Sequence, residues 1–177
     1  QALRPGAAVT AKALAALGLD LHILSGDRLE AVMPVAEALG IWSWHGGLKP
    51  ADKITLLEEM KASGRRVLMI GDGLNDAPAL AQADVGIAMS DGTDVAQQTA
   101  RVVLMRPDPG LVVGVFQVAH ATLAKIRQNL FWAFIYNCIG LPLAAFGRLN
   151  PMLAGLAMAM SSVSVVTNSL TLRRWRP

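Results

Sequence analysis

The sequence Gly71-Asp72-Gly73-Leu74-Asn75-Asp76-Ala77-Pro78-Ala79-Leu80 follows a short apolar run at residues 67–70, and the chain continues as a predicted helix. Glycines allow the chain to turn sharply at the end of a strand. Asp72 and Asp76 bring two carboxylates into one small region, as a magnesium ion that bridges to a phosphate requires. A lone Gly-Asp-Gly is more often an ordinary turn, so the whole stretch carries the prediction of a phosphate and magnesium site.

Helix-like and strand-like segments alternate on both sides of this stretch, up to about residue 106. Helices are predicted at residues 7–17, 28–39 and 51–62, and strands at residues 21–24, 67–70, 85–88 and 102–105. This alternation indicates a Rossmann-like parallel α/β sheet with its functional loops at the carboxyl ends of the strands. Trp42 and Trp44 fall in none of these segments and are left unexplained.

Two further loops fit a phosphate site. Ser25-Gly26-Asp27 ends the predicted strand at residues 21–24, where a hydroxyl and backbone amides suit phosphate oxygens. Lys53 opens a predicted helix and is placed to neutralise phosphate charge. Taken alone, a serine at a strand end is usually a turn residue, and a lysine in a first helical turn is usually solvated. Their order along the chain with the Asp72 loop favours a joint site.

The composition changes after about residue 111. Hydrophobic residues make up 53% of the 177-residue chain and charged residues only 16%, with the apolar excess in the last third. Residues 130–146 are nearly free of charge, and residues 152–172 contain no charged side chain, which is close to the ~20 residues that cross a bilayer. With a turn at residues 147–151, the sequence predicts a transmembrane helical hairpin. The alternative is a buried hairpin in a soluble protein.

The basic residues flank these apolar runs. They are Lys125 and Arg127 before the first run, and Arg173, Arg174 and Arg176 after the second; the turn contains only Arg148. Because Lys and Arg are retained on the cytoplasmic side, both ends of the hairpin are predicted to face the cytosol. A net charge of +3 that is divided between membrane flanks suits an anionic lipid surface, and nucleic-acid binding is not expected.

Polar side chains within the apolar runs need a reason, because polar groups are costly inside a bilayer. Tyr136 and Asn137 lie in the first run; Met158 and Ser162 share one face of the second. A thioether is a soft ligand that suits monovalent copper or silver. From the spacing alone, interhelical hydrogen bonding and packing are the more common explanation. Cys138, the only cysteine, is interpreted as a packing residue.

These motifs resemble those of the P-type ATPases, within the haloacid dehalogenase-like superfamily, and the resemblance spans essentially the whole chain. Ser25-Gly26-Asp27 looks like the family's Thr-Gly-Asp loop with Ser in place of Thr. Residues 50–53 look like its Pro-x-x-Lys segment, and residues 71–80 match its hinge motif. Tyr136-Asn137 and the Met-x-x-Ser-Ser at residues 158–162 are similar to the signature of the copper(I) subgroup, whereas zinc-type members have charged residues there.

The resemblance implies a role for each motif. Asp72 and Asp76 would bind Mg²⁺, and Gly71, Gly73 and Asn75 would help to bind the cofactors Mg²⁺ and ATP. Ser25, Gly26, Asp27 and Lys53 would contact the transferred phosphoryl group. Tyr136, Asn137, Met158 and Ser162 would bind copper. The implied activity is ATP-driven export of copper(I), or of silver, through an aspartyl-phosphate. The implied location is a bacterial inner membrane, with the α/β part and the C-terminus in the cytoplasm.

The resemblance also implies a division of the chain. Residues 1–106 would be part of the haloacid dehalogenase-like phosphorylation domain, residues 107–128 a connecting helix, and residues 129–177 two transmembrane helices with a basic tail.

Two family motifs are absent from the sequence, namely Asp-Lys-Thr-Gly-Thr with the nucleophilic Asp, and Cys-Pro-Cys. Without that carboxylate no aspartyl-phosphate forms, so the chain is expected to be inactive alone. It begins without Met and is expected to be truncated, with the upstream part of the pump, membrane lipid and a copper chaperone as partners. The alternatives are a membrane-tethered dehalogenase-like phosphatase, whose Asp-x-Asp motif is not visible, and a non-catalytic binding or regulatory fragment.

Overall fold

The computed structural model describes residues 3–147 and 151–174, and at residues 141, 144, 151, 153, 154, 173 and 174 it describes the backbone alone. The chain divides into two compact units, one that ends at Val113 and one that begins at Gly114. The first unit alternates helices with strands, and the second is helical.

The first unit has parallel strands joined by helices. Its helices are α1 (Ala7–Ala16), α2 (Leu29–Leu39), α3 (Pro50–Ala62), α4 (Ala77–Gln82) and α5 (Asp94–Thr99); its strands are β1 (His22–Leu24), β2 (Ser43–His45), β3 (Leu68–Gly71), β4 (Val85–Ala88) and β5 (Val102–Val103). The predicted α/β class is therefore confirmed. The strands form two parallel sheets, β1-β2 and β3-β4-β5. In the described chain, both β1 and β3 are edge strands.

Strand β2 was not predicted. It is a short polar segment, and it becomes a strand because it pairs with β1, with Ile23 opposite Trp44. At the end of this ladder, Ser43 Oγ lies 2.7 Å from His22 Nδ1. The pairing gives Trp44 a place in the fold, whereas the side chain of Trp42 is 93% exposed.

A small apolar core fixes the strand that leads into the Asp72 loop. Its buried members come from α3, β3, α4 with the residue that follows it, and α5; they are Leu57, Met69, Ala79, Leu80, Ala83 and Ala96. Leu24 of β1 packs against the same cluster. The two sheets therefore share one core although no backbone ladder joins them.

Helix α4 and strand β4 approach each other closely at Gly86. A Cβ at this position would lie 2.5 Å from the carbonyl oxygen of Leu80, which is fully buried. Because the obstacle is backbone, a larger residue cannot be accommodated by a change of rotamer. Gly86 thus sets how closely α4 packs on the sheet.

The second unit contains most of α6 (Gly110–Ala145), and α7 (Pro151–Leu170), which is followed by a 3-10 turn at Thr171–Arg174. Helix α6 is continuous through the basic residues where the sequence indicated two segments, and it includes Pro142. The predicted turn at residues 147–151 falls largely on residues 148–150, which lie outside the described residues.

A polar network connects the end of α7 to the middle of α6. Lys125 Nζ donates to Asn168 Oδ1 at 2.9 Å, Asn168 Nδ2 donates to Asn129 Oδ1 at 2.8 Å, and Asn129 Nδ2 donates to Ser169 Oγ at 3.0 Å. Two of these four side chains, Asn129 and Asn168, are amides that both donate and accept, so each of them takes part in two of the hydrogen bonds. The sequence analysis did not single out Asn129, Asn168 or Ser169.

Among the helices formed by described residues, none contains an apolar stretch of the length needed for a membrane span. The transmembrane hairpin is therefore not confirmed by the structure and stays a prediction.

We expect Gly86→Ala to destabilise the first unit by about 1–3 kcal/mol, because the added methyl group meets the Leu80 backbone. The matched control is Gly114→Ala in α6, where an added Cβ meets nothing within 4 Å. Helix propensity favours that change by roughly 0.5–1 kcal/mol. Thermal unfolding followed by circular dichroism in detergent compares the two. Equal melting temperatures for both variants would contradict the close approach at Gly86.

Candidate functional site

The candidate site lies at the carboxyl ends of β3 and β4. Strand β3 ends at Gly71, and the chain passes through Asp72 and Gly73 into a 3-10 turn at Leu74–Asp76 before α4 begins. A Cβ at Gly71 would lie 2.7 Å from Asp76 Cβ. The absence of a side chain at Gly71 therefore lets the Asp76 side chain fold back against the strand end. This is a local reason for the glycine that begins the motif.

The loop after β4 supports the backbone of Asp72. Thr93 N–H donates to the Asp72 carbonyl oxygen at 2.9 Å, and Met89 N–H donates to the Gly71 carbonyl oxygen at 3.3 Å. A Cβ at Gly92 would lie 2.9 Å from that same Asp72 oxygen. The two strand-end loops are thus in backbone contact, and the position of Asp72 depends on both.

Lys53 and Asp76 form a largely buried ion pair. Lys53 Nζ lies 2.7 Å from Asp76 Oδ1, and the side chains are 8% and 17% exposed, respectively. Lysine is almost never this buried unless it is paired. The interpretation of Lys53 as a solvated first-turn residue is therefore wrong. The structure brings Lys53 and Asp76 together, as a joint site requires.

Asp72 is half-exposed and is paired with Arg4. Arg4 Nη2 lies 3.0 Å from Asp72 Oδ2, and Arg4 Nη1 lies 2.7 Å from Asp91 Oδ2. The hydrogen bond from Arg4 holds the pKa of Asp91 below its usual value, and the same bond raises the pKa of Arg4. Neither Arg4 nor Asp91 was predicted from the sequence to belong to the site. For Asp91 a signal existed, because it follows β4 as Asp72 follows β3, and the ends of neighbouring parallel strands meet.

A cavity of about 280 Å³ opens beside these groups. Arg4, Asp72 and Asp76 form its polar side, and Ile70, Met89 and Val112 contribute apolar surface. The cavity is large enough for a phosphoryl group and several waters, given that one water occupies roughly 30 Å³ of liquid.

The Ser25-Gly26-Asp27 loop is held by contacts of its own. Ser25 Oγ accepts a hydrogen bond from the Asp27 N–H at 3.1 Å, and Ser25 N–H donates to the carbonyl oxygen of His45 at 2.9 Å. Gly47 and Leu48, which follow β2, donate backbone hydrogen bonds to Asp27 and Ser25. Among the described residues, no hydrogen bond or ion pair joins this loop to Asp72 or Asp76.

The remaining predicted ligands are only partly assembled. Asn75 lies exposed in the 3-10 turn. In the described chain, no group of three or more His, Cys, Asp or Glu side chains is arranged to hold a metal ion. Asp72 and Asp76 do supply two carboxylates at one cavity, and Mg²⁺ is commonly bound by one or two carboxylates with waters and phosphate oxygens. The donor set at the cavity therefore fits Mg²⁺.

The four predicted copper residues lie on α6 and α7. Asn137 is exposed and donates from Nδ2 to the Ala133 carbonyl oxygen at 2.8 Å, and Tyr136 is half-buried. Met158 is 74% exposed, and Ser162 is exposed one turn further along α7. Among the described residues, no hydrogen bond joins the α6 pair to the α7 pair.

Comparison with known proteins identifies relatives of the chain. Residues 1–84 match the family described as haloacid dehalogenase-like hydrolase. The chain is 50% identical to a probable copper-importing P-type ATPase A of Enterococcus hirae, over 89% of this chain and 22% of that protein. It is 43% identical to a copper-exporting P-type ATPase of Staphylococcus aureus, over 93% of this chain and 21% of that protein. The chain thus spans about a fifth of the length of these relatives.

A solved structure gives the same result for the fold. A zinc-transporting PIB-type ATPase, in its E2.Pi state, superposes with a TM-score of 0.93 at 38% sequence identity, and the match covers 97% of this chain and 28% of that chain. The resemblance that rested on short motifs therefore extends over nearly all of the chain. The chain is thus similar, over nearly all of its length, to one part of the P-type ATPases, and the relatives it resembles are named as transporters of copper or zinc.

Proposed function

We propose that this chain works as part of a larger ATP-driven pump that exports copper(I), with silver(I) as a second ion, through an aspartyl-phosphate intermediate. The observation that carries the proposal is the buried Lys53–Asp76 pair beside Asp72, in a chain whose relatives are named for copper transport. Because those relatives are about five times longer, ATP hydrolysis and the direction of transport belong to the proposal.

In this proposal the phosphate site works by positioning and charge. Asp72 and Asp76 hold Mg²⁺, which neutralises negative charge on the phosphoryl group donated by ATP. Lys53 contributes a fixed positive charge at the same place, and Ser25, Gly26 and Asp27 contact the phosphoryl oxygens. Gly71, Gly73 and Asn75 form the backbone of the loop that carries Asp72 and Asp76 and help to bind Mg²⁺ and ATP. The nucleophilic carboxylate comes from the upstream portion of the pump, so this chain alone is inactive.

Two of the unpaired strand edges support a contribution from upstream. Strands β1 and β3 each have a hydrogen-bonded neighbour on one side only in the described chain, and both lead into phosphate loops. Ile70, in the middle of β3, is 38% exposed, whereas Met69 and Gly71 on either side of it are buried. One further parallel strand that paired with both edges would end between the two loops. A nucleophile at the end of that strand would lie beside Asp72.

For the second unit we propose a membrane location. The second half of α6 and α7 expose many large apolar side chains, including Leu130, Phe131, Trp132, Phe134, Ile139, Leu143, Met158, Val163, Val166 and Leu170. Exposed apolar patches of this kind mark surfaces that meet lipid or other helices. In this reading residues 107–128 connect the phosphorylation domain, residues 1–106, to the membrane part, residues 129–177. The membrane is the bacterial inner membrane, with the phosphorylation domain and the C-terminus in the cytoplasm, where a copper chaperone delivers the ion.

Tyr136, Asn137, Met158 and Ser162 form one part of the copper site in this proposal. The thioether of Met158 supplies a soft ligand, and the exposed positions of Asn137 and Ser162 leave room for ligands from other helices of the pump. Copper-specific ligation requires further sulfur donors, which the upstream portion would supply. The site on this chain is therefore incomplete by itself.

The buried ion pair can be tested by Lys53→Met, which leaves Asp76 largely buried without a counter-charge. We expect a loss of about 3–5 kcal/mol in folding stability, as is usual when one partner of a buried pair is removed. The matched control is Lys61→Met in the same helix, where the lysine is 35% exposed and lies 4.0 Å from Asp84. Thermal unfolding in detergent measures both. A smaller loss for Lys53→Met than for Lys61→Met would show that the Lys53 pair is not structural.

The same Lys53 variant tests the phosphate site in the intact pump. We expect aspartyl-phosphate formation from ATP to fall by roughly 10²-fold or more, since a preorganised charge at a reacting group contributes about this much. Phosphoenzyme trapped by acid and counted from radiolabelled ATP gives the measurement. Folded Lys53→Met protein with normal phosphoenzyme would remove Lys53 from the site.

The transported ion can be tested by ATP hydrolysis of the intact pump in lipid, with copper(I), silver(I) and zinc(II) compared. We expect stimulation by copper and silver, and loss of that stimulation in Met158→Ala and Asn137→Ala because each removes a ligand. Met160→Ala is the matched control, because this exposed methionine lies two residues away on a different face of α7. Stimulation by zinc, or equal behaviour of the two methionine variants, would assign Met158 to packing and reject the copper site.

A further inference from the structure

The guanidinium of Arg4 bridges two carboxylates that end neighbouring strands. One nitrogen, Nη2, lies 3.0 Å from Asp72 Oδ2, and the other, Nη1, lies 2.7 Å from Asp91 Oδ2. Asp72 follows β3 and Asp91 follows β4, and these strands are paired in register. Arg4 comes from the opposite end of the unit, before α1, and lines the same cavity as Asp72 and Asp76.

This contact bears directly on metal binding. A carboxylate oxygen that accepts a charge-assisted hydrogen bond from Arg has less electron density to offer a cation, and the guanidinium charge repels a divalent ion within a few ångströms. Arg cannot escape this conflict by deprotonation at any physiological pH. Mg²⁺ and Arg4 must therefore compete for Asp72.

Asp91 gives Arg4 a second attachment, and the bond to Asp91 is the shorter of the two. When Asp72 turns to a metal ion, the guanidinium can stay on Asp91 without being released into solvent. A planar fork with separate donors suits this bridge, whereas the point charge of a lysine could not hold both carboxylates in the same way. The backbone also fixes Arg4, because its carbonyl oxygen accepts the N–H of Ala7 at the start of α1, at 3.1 Å.

We propose that Arg4 is a positioning residue of the phosphate site: a tethered counter-ion that occupies Asp72 when no Mg²⁺ is bound and moves wholly onto Asp91 when Mg²⁺ takes Asp72. Arg4 thereby weakens Mg²⁺ binding and keeps the empty site compact. The proposal rests on the proposed function, since it takes Asp72 to be a magnesium ligand.

The test measures divalent-ion binding without any catalytic readout. Mn²⁺, a paramagnetic substitute for Mg²⁺, is titrated into the full chain in detergent, and free Mn²⁺ is counted from its electron paramagnetic resonance signal. We expect Arg4→Gln to bind Mn²⁺ roughly three- to fivefold more tightly, the size expected from the loss of half-exposed ion pairs. The matched control is Arg65→Gln, which removes an exposed Arg paired with Asp20 outside the cavity and should leave the affinity unchanged.

A third variant, Asp72→Asn, distinguishes the role of Arg4 from the existence of the magnesium site. If Asp72→Asn loses Mn²⁺ binding but Arg4→Gln binds no more tightly than the parent, the Arg4 proposal is wrong and the magnesium site survives. If Asp72→Asn binds as the parent does, Asp72 is not a ligand, and both the magnesium site and the role of Arg4 are rejected. Circular dichroism checks that each variant is folded.

The role of Asp91 is tested by a double-mutant cycle. Asp91→Asn should weaken Mn²⁺ binding, because Arg4 then has only Asp72 to pair with. The loss should be smaller when Asp91→Asn is made in the Arg4→Gln background, since the two residues are expected to act together. Equal losses in both backgrounds would show that Asp91 does not hold Arg4, and would overturn the bridging part of the proposal.

Discussion

The buried contact between the Lys53 ammonium and the Asp76 carboxylate is the constraint on which the candidate site depends. It ties the first turn of α3 to the 3-10 turn after β3, and neither charge is stable in that place without the other. Gly71 makes the contact possible, because any side chain there would displace Asp76. With Asp76 fixed, the chain between Gly71 and α4 has little freedom, and Asp72 is left at the mouth of the cavity.

The charges around the cavity are nearly, but not fully, balanced. Asp72, Asp76 and Asp91 contribute three negative charges, whereas Lys53 and Arg4 contribute two positive ones, so one negative charge remains. Three uncompensated carboxylates would repel one another, and the two cations remove most of this repulsion. The one negative charge that remains still attracts a cation. The two cations differ in their access to solvent, since the Lys53 side chain is 8% exposed and the Arg4 side chain is 36% exposed.

Local signals in the sequence were sufficient to predict the strands with apolar runs, the helices with clear ends, and the strand-end loop at residues 71–80. Other features depend on partners distant in the chain. Strand β2 exists because it pairs with β1, and Arg4 meets Asp72 and Asp91 only after the whole unit has folded. The network of Lys125, Asn129 and Asn168 joins positions about forty residues apart, so no periodicity could reveal it. Lys53 was placed in the site by motif, but its burial could be seen only in the fold.

The open edges of β1 and β3 have a consequence for the behaviour of the molecule in solution. A strand edge presents a row of unpaired N–H and C=O groups, and in the described chain β1 and β3 each present one beside the shared apolar core. Exposed edges of this kind can pair with an extended segment, including one from another copy. A short synthetic peptide that added a strand at such an edge would cover these groups and compete with association between copies.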